Sequence, residues 1–354
     1  MKNQKRITFF LALAVVFFTF TGCAASNSQS TDGAASQSTD GAASQSTDGA
    51  ASQSPDSADV ELPDNAASQT TKSDPISVTD MTGRTITLDA PAERIVALTP
   101  ADCEILYAIG AGNTLVGRGE YCDYPAEILD IDAVQSGSET NIEQIIALEP
   151  QVVLMGTMAQ SEEQVAVLEA AGIAVVVSDA QDIEGTYTAI ELIGTLMGKT
   201  EESASIIDGM KKTFEEVKEK AAKDGTKTVY FEVSPLEYGL WTAGGGTFMD
   251  ELATMLGIKN VFSDVQGWGE ISAEQVIERD PDYIVTNAMY FGDGILPVEE
   301  ILSRDGWQGM KAIKNKAILN ADSYEITRPG PRLALAAETL YKFFYEDETI
   351  EPTE

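Results

Sequence analysis

Two glutamates stand in matching surroundings. Asn141-Ile142-Glu143-Gln144-Ile145-Ile146-Ala147-Leu148-Glu149-Pro150 sets against Ser272-Ala273-Glu274-Gln275-Val276-Ile277-Glu278-Arg279-Asp280-Pro281, and each run leads into an apolar stretch. In each, Asn or Ser is placed to cap a short helix, and the glutamate falls in the first turn, where the helix dipole favours negative charge. Capping alone would account for either glutamate. As an equivalent pair they present two acids to a partner that offers two basic sockets, which is docking chemistry. Catalysis has little to work with: the chain has no histidine, and no nucleophile-elbow pentapeptide or spaced carboxylate-metal motif is visible. No catalytic residue, metal ligand or resident cofactor is assigned.

Cysteine offers a second chemistry. Lys2, Lys5 and Arg6 precede an uncharged apolar run over 7–20, followed by Thr21-Gly22-Cys23. A basic end and a short apolar core make a secretory signal, and small residues before a cysteine suit cleavage with acylation of the thiol. Cys23 is the expected lipidation site, and 1–22 the lipoprotein signal peptide. Cys103 and Cys122 then lie in an oxidising compartment, where a disulfide or two buried free thiols are both open.

These residues need elements to position them. Strand-like runs at 94–98, 114–118, 151–155 and 173–177, then at 227–232, 283–286 and 317–320, alternate with helical patterns. That order indicates sheets with parallel strands, covered on both faces. The expected fold is α/β, two Rossmann-like sandwich lobes, over 75–182 and 225–346. Between them, over 183–224, lies a helical segment. Its long helix at 200–222 has Thr200 as N-cap and Ile207, Met210, Phe214, Val217 and Ala221 on one face. At 1.5 Å per residue it spans roughly 33 Å and joins the lobes stiffly. The lobes also echo each other upstream, where Ala108-Ile109-Gly110 through Asn113 matches Met255-Leu256-Gly257 through Asn260.

Strand ends in such sheets carry ligand groups, and in a two-lobed body they should line the groove between the lobes. Candidates on the first lobe are Thr99, Pro100, Tyr121, Tyr124, Met155, Thr157 and Met158. The second lobe offers Trp241, Trp268, Asn287, Met289, Tyr290 and Phe291. Aromatic planes with few charges suit a large, flat or amphipathic ligand. Gly244-Gly245-Gly246 brings backbone close to a ligand or to a neighbouring strand. Arg328 and Arg332, in Arg328-Pro329-Gly330-Pro331-Arg332, either pair with this acidic body or turn one guanidinium to the groove.

Composition sets outer limits. Residues 23–74 are Ser, Thr, Ala, Asp, Gly and Gln with few large apolar side chains, and repeat one octapeptide at 30–37, 38–45 and 46–53. Such a segment reads as a disordered tether, reaching roughly 40 Å as a flexible coil. Residues 347–354 read as an acidic tail. A formal charge of −34 excludes nucleic acid as a partner and leaves the lipid as the only membrane attachment.

Taken together, these segments resemble the periplasmic-binding-protein family for ferric siderophores, haem and cobalamin, over about residues 78–345. The resemblance is carried by Glu93-Arg94-Ile95-Val96-Ala97-Leu98-Thr99-Pro100, Glu104-Ile105-Leu106-Tyr107-Ala108-Ile109-Gly110, Tyr121-Cys122-Asp123-Tyr124-Pro125, Asn141-Ile142-Glu143, the glycine turn, Gly267-Trp268 and Arg328-Pro329-Gly330-Pro331-Arg332. It implies the class III architecture, with two lobes on one rigid helix. It also implies a monomeric receptor at the outer face of the cell membrane, serving an ABC permease dimer and its ATPase subunits, with Glu143 and Glu274 docking on permease arginines. The ligand residues so expected are Pro100, Tyr121, Tyr124, Met158, Trp241, Gly245, Trp268, Tyr290 and Arg328. The ligand expected is a corrinoid or an iron chelate. Cobalamin-binding members look nearest, through Tyr121 and Trp268, but Ser136-Gly137-Ser138 stands where those members carry a tryptophan. A surface lipoprotein that binds a protein or polymer is the alternative from another class.

Overall fold

The computed structural model describes residues 75–137, 139–157, 162–221, 225–289 and 294–346. Cys23, the tether, Met158, Tyr290, Phe291 and the acidic tail lie outside the described residues.

The described chain opens with an antiparallel hairpin, β1 (Ile76–Thr79) and β2 (Thr85–Leu88). The Asp80 carboxylate builds its turn by accepting from the N–H groups of Thr82 (3.0 Å) and Arg84 (2.9 Å). Gly83 supplies the positive φ of 86° that the turn requires. The first lobe follows with β3 (Ile95–Ala97), α1 (Pro100–Ala108), β4 (Leu115–Gly119), β5 (Ala133–Val134), α2 (Ile142–Ala147), β6 (Val152–Met155), α3 (Glu162–Ala170) and β7 (Ala174–Val177). Its sheet is all parallel, in the order β5-β4-β3-β6-β7. Every residue of β3 and β6 is buried, as strands covered on both faces require.

Two helices lead to the second lobe, α4 (Ile183–Leu196) and α5 (Thr200–Lys220). Thr200 does not cap α5. Lys199 holds the cap position, and its N–H donates to the Gly194 carbonyl at 2.7 Å, so the tight α4–α5 turn sets where the helix begins. The 21 residues of α5 run about 32 Å. They bury Met210, Phe214 and Val217 and pack against α4 on one side and the last helix of the chain on the other.

The second lobe comprises β8 (Thr228–Ser234), β9 (Trp241–Ala243), α6 (Phe248–Met255), β10 (Lys259–Asn260), β11 (Trp268–Glu270), α7 (Ala273–Arg279), β12 (Tyr283–Thr286), α8 (Pro297–Ser303), α9 (Lys311–Asn315), β13 (Ile318–Asn320), α10 (Ser323–Thr327) and α11 (Leu333–Tyr345). Strand order is β11-β9-β8-β12-β13, with β10 also parallel to β8. The β8–β12–β13 half is parallel, whereas β9 and β11 run antiparallel.

The internal echo is structural. In both lobes a capped helix ends before a residue with left-handed backbone, Glu149 (φ 48°) or Asp280 (φ 42°); a proline and a central parallel strand follow. One apolar core, including Ile190, Phe214, Leu252 and Phe344, runs through α4, α5, α6 and α11 and serves both lobes. A shared core and a stiff connector disfavour wide hinge motion.

Candidate functional site

The site is built where strands end. After β3, Thr99 caps α1: its hydroxyl accepts from the Asp102 N–H (3.2 Å) and donates to the Asp102 carboxylate (2.6 Å), a reciprocal cap. Asp102 is fully buried. Burial pushes its carboxyl up to about 6, against the Thr99 and Ser178 hydroxyls and with help from the Asp179 charge. Thr99 and Pro100, with Ser178 and Asp179 from the end of β7, face Thr327 and Arg328 of the second lobe across a cavity of about 310 Å³. A larger cavity of about 990 Å³ lies on the second lobe, lined by Ser234, Leu236 and Tyr238 after β8, Asn287 and Met289 after β12, and Pro297 of α8.

Contacts between the lobes flank this region. Arg332 grips Glu104 with two bonds (2.8 and 2.6 Å), and Arg328 reaches Glu104 at 3.0 Å and Asp123 at 2.8 Å. The Arg332 guanidinium lies 3.9 Å from the Tyr124 ring centroid, and that of Arg328 lies 4.1 Å from Tyr324. A separate seam joins the lobes at Gln181. The Trp268 indole N–H donates to the Gln181 side chain (3.3 Å), the Phe248 N–H to the Gln181 carbonyl (3.0 Å), and the Ile183 N–H to Glu251 (2.7 Å).

Of the residues expected at the ligand, Pro100 and Arg328 line the interlobe cavity. Arg328, however, is already engaged by two carboxylates. Tyr121 is 68% exposed and Tyr124 44% on the loop after β4, with Arg332 over one face of the Tyr124 ring; neither is among the residues lining the two cavities. Trp241, 40% exposed, sits in register with Ser234, which lines the larger cavity; Trp241 itself is not among the lining residues. Trp268 is half-buried, edge-on to Phe248 at 5.5 Å.

Several expectations need correction. Gly245 meets its own lobe: a side chain there would collide with the Ser263 carbonyl at 2.4 Å, so close backbone packing explains the glycine. Met155 is completely buried in the first-lobe core and makes no direct cleft contact; Thr157 is exposed and donates to Asp179, which lines the interlobe cavity. Cys103 and Cys122 form no bridge. Both are buried free thiols placed under one carbonyl, with Sγ 3.6 and 4.0 Å from the Ala97 oxygen. The neighbouring Cys122 thiol, followed by burial, pushes the Cys103 thiol well above its ordinary value.

Glu143 and Glu274 occupy equivalent positions, second in α2 and α7, and both are exposed. Asn141 caps the first helix by accepting from the Gln144 N–H at 3.0 Å; Ser272 and Gln275 form a capping box on the second. The Glu274 backbone N–H and the Ser272 hydroxyl hold the Glu274 carboxyl below its usual value.

Glu104, Ser178, Asp179 and the 234–238 loop were not singled out from sequence. Applying the strand-end rule to β7 points to Ser178 and Asp179, and a full-length β8 would have pointed to the loop. Nothing local marks Glu104, whose partners lie more than 220 positions along the chain.

A family model described as periplasmic binding protein matches residues 95–325. The chain belongs to that family. Among relatives of this periplasmic binding protein, the uncharacterized ABC transporter substrate-binding lipoprotein YvrC of Bacillus subtilis (strain 168) is 33% identical over 79% of this chain and 89% of its own length. A vitamin B12-binding protein of Salmonella paratyphi A is 32% identical over 70% and 89%. The crystal structure of the periplasmic heme-binding protein HutB of Vibrio cholerae superposes with a TM-score of 0.65, covering 71% of this chain and 98% of that one at 20% identity, a likeness of fold. The two-lobed class III architecture is therefore as expected. As a periplasmic binding protein the chain is the substrate-binding component of an ABC importer, a transport component that takes a small-molecule ligand and works with a permease. Among the described residues no helix is long and apolar enough to cross a membrane, and no group of side chains is arranged to hold a metal ion.

Proposed function

We propose that this receptor captures a corrinoid or an iron chelate in the interlobe cleft, with corrinoid favoured, and hands it to a dimeric permease while a lipid on Cys23 keeps it at the outer face of the membrane. One observation carries the reading: the strand-end residues Thr99, Pro100, Ser178 and Asp179 of the first lobe face Thr327 and Arg328 of the second across a cavity, and the aromatic side chains of Tyr121, Tyr124 and Trp241 are exposed. Exposed aromatic area is binding surface suited to a flat or amphipathic ligand. The relative named for vitamin B12 supports the corrinoid. Glu143 and Glu274, exposed at matching helix starts, serve as the two docking acids.

Haem is the second reading, favoured by the 68% exposure of Tyr121. In a chain without histidine, an accessible tyrosine is a fitting axial ligand. The test is calorimetry and thermal shift on the purified full chain with cyanocobalamin, cobinamide, haemin and several ferric siderophores. A bound ligand at a hundred times its Kd should add about 2.7 kcal/mol of stability. Silence from the whole panel would leave the protein- or polymer-binding lipoprotein as the better description.

A further inference from the structure

We infer that the cleft selects by charge, accepting neutral or cationic ligands that carry hydrogen-bond donors and rejecting polyanionic chelates. This rests on the receptor reading and adds the charge class of the ligand. Binding a polyanion in a cleft calls for cationic side chains with free donors aimed into it. The second lobe brings Arg328 and Arg332 to the interlobe region, and both are already neutralised. Glu104, only 4% exposed, accepts three of their bonds, at 2.6 to 3.0 Å, and Asp123 lies 2.8 Å from Arg328. Their planar faces are covered as well, by Tyr324 and Tyr124.

Beside the larger cavity the pattern repeats. Arg304 is buried and bonded to Glu232 (2.9 Å) and Glu300 (3.0 Å), both of which line that cavity. Arg118, on β4, donates to the carbonyls of Gly119 and Cys122 and so holds its own loop. The acids are less fully matched. Asp179 lines the interlobe cavity and Glu237 the larger one, and among the described residues neither has a basic partner. A polyanion entering here would give up hydration and meet carboxylates. A ligand bearing amide N–H groups or an ammonium would meet acceptors, and the charge of −34 on the whole chain steers in the same direction at long range. Glu104 thereby acts as a specificity-determining residue: it withdraws two arginines from the cleft.

The test is calorimetry on the full chain with a ferric trihydroxamate carrying a free ammonium, a neutral ferric trihydroxamate, cationic cobinamide, cyanocobalamin and a trianionic ferric triscatecholate. The most favoured neutral or cationic probe should bind at least about tenfold more tightly than the triscatecholate, which is about 1.4 kcal/mol. Asp179→Asn removes a carboxylate that has no basic partner among the described residues and leaves the arginine contacts intact; it should narrow that ratio. Glu104→Gln should narrow it further by freeing guanidinium donors. Should the Glu104 variant fail to fold, Asp179→Asn and the salt dependence still decide, since added salt should weaken cationic probes more than neutral ones. Triscatecholate binding as tight as that of the other probes, or a ratio unmoved by Asp179→Asn and by salt, would overturn the charge rule and leave the receptor reading standing. No binding by any probe would overturn both.

Discussion

The inner strands of the two lobes and one flanking strand, β7 or β13, repeat one another, and the strands on the other flank do not. β3 and β6 in the first lobe, and β8 and β12 in the second, form the same parallel pair, and each second strand follows a capped helix, a left-handed residue and a proline. Beyond that pair the first sheet continues in parallel to β5, and the loop after β4 carries Tyr121 and Tyr124. The second sheet instead turns antiparallel through β9 and β11, which place Trp241 and Trp268. The repeated part presents Glu143 and Glu274 in matching positions, as a two-fold partner would require. The divergent part carries the exposed rings of Tyr121 and Trp241, while the cavity linings come from the ends of β3, β7, β8 and β12 and from α8 and α10.

Two buried acids, Glu232 and Asp102, are held differently. Glu232 in the second lobe is met by Arg304. Burial alone would lower that guanidinium's pKa, yet hydrogen bonds to Glu232 and Glu300 raise it above its ordinary value. Asp102 in the first lobe has hydroxyls and backbone for company, and among the described residues no basic side chain pairs with it. Glu232 is paired with a cation, as buried Glu104 is with Arg328 and Arg332, whereas the Asp102 carboxyl is raised by burial.

The largest effect expected from these differences is on transport. Replacing both Glu143 and Glu274 with arginine should abolish uptake while calorimetry shows ligand affinity unchanged; each single replacement should leave a partial rate. Normal uptake by the double variant would remove the docking role. A smaller effect should appear in stability against pH. An acid whose folded value is raised costs nothing while it is protonated in both states, below about 4, and costs the full amount above its folded value of about 6. Wild type should therefore lose about 3 kcal/mol relative to Asp102→Asn as pH rises through that window. Parallel stability curves from denaturant titration would show that burial does not hold Asp102 near neutrality.

Much of this was legible along the chain. All seven strands expected from apolar runs are present, because a buried parallel strand writes itself as a local block of Val, Ile and Leu. The matching placement of Glu143 and Glu274 was legible because helix caps are local too. The opening hairpin was missed although Thr-Asp-Met-Thr-Gly-Arg between alternating runs is a turn signal, and β5, β9, β10 and β11 were missed because strands of two or three residues carry no period. The ion pairs between Glu104 and the two arginines could not be read at all: nothing in either segment names its partner. Aromatic type alone pointed to Tyr121 and Trp241, yet it could not reveal that Trp268 also hydrogen-bonds across the lobe seam.

The most direct test of a ligand held between unlike walls is hydrogen exchange on the full chain with and without saturating cyanocobalamin. Protection should appear in both lobes, at 99–101 and 121–125 in the first and at 234–241 and 286–289 in the second, with the helix α5 unchanged. Protection confined to one lobe would contradict a site built from the strand ends of both.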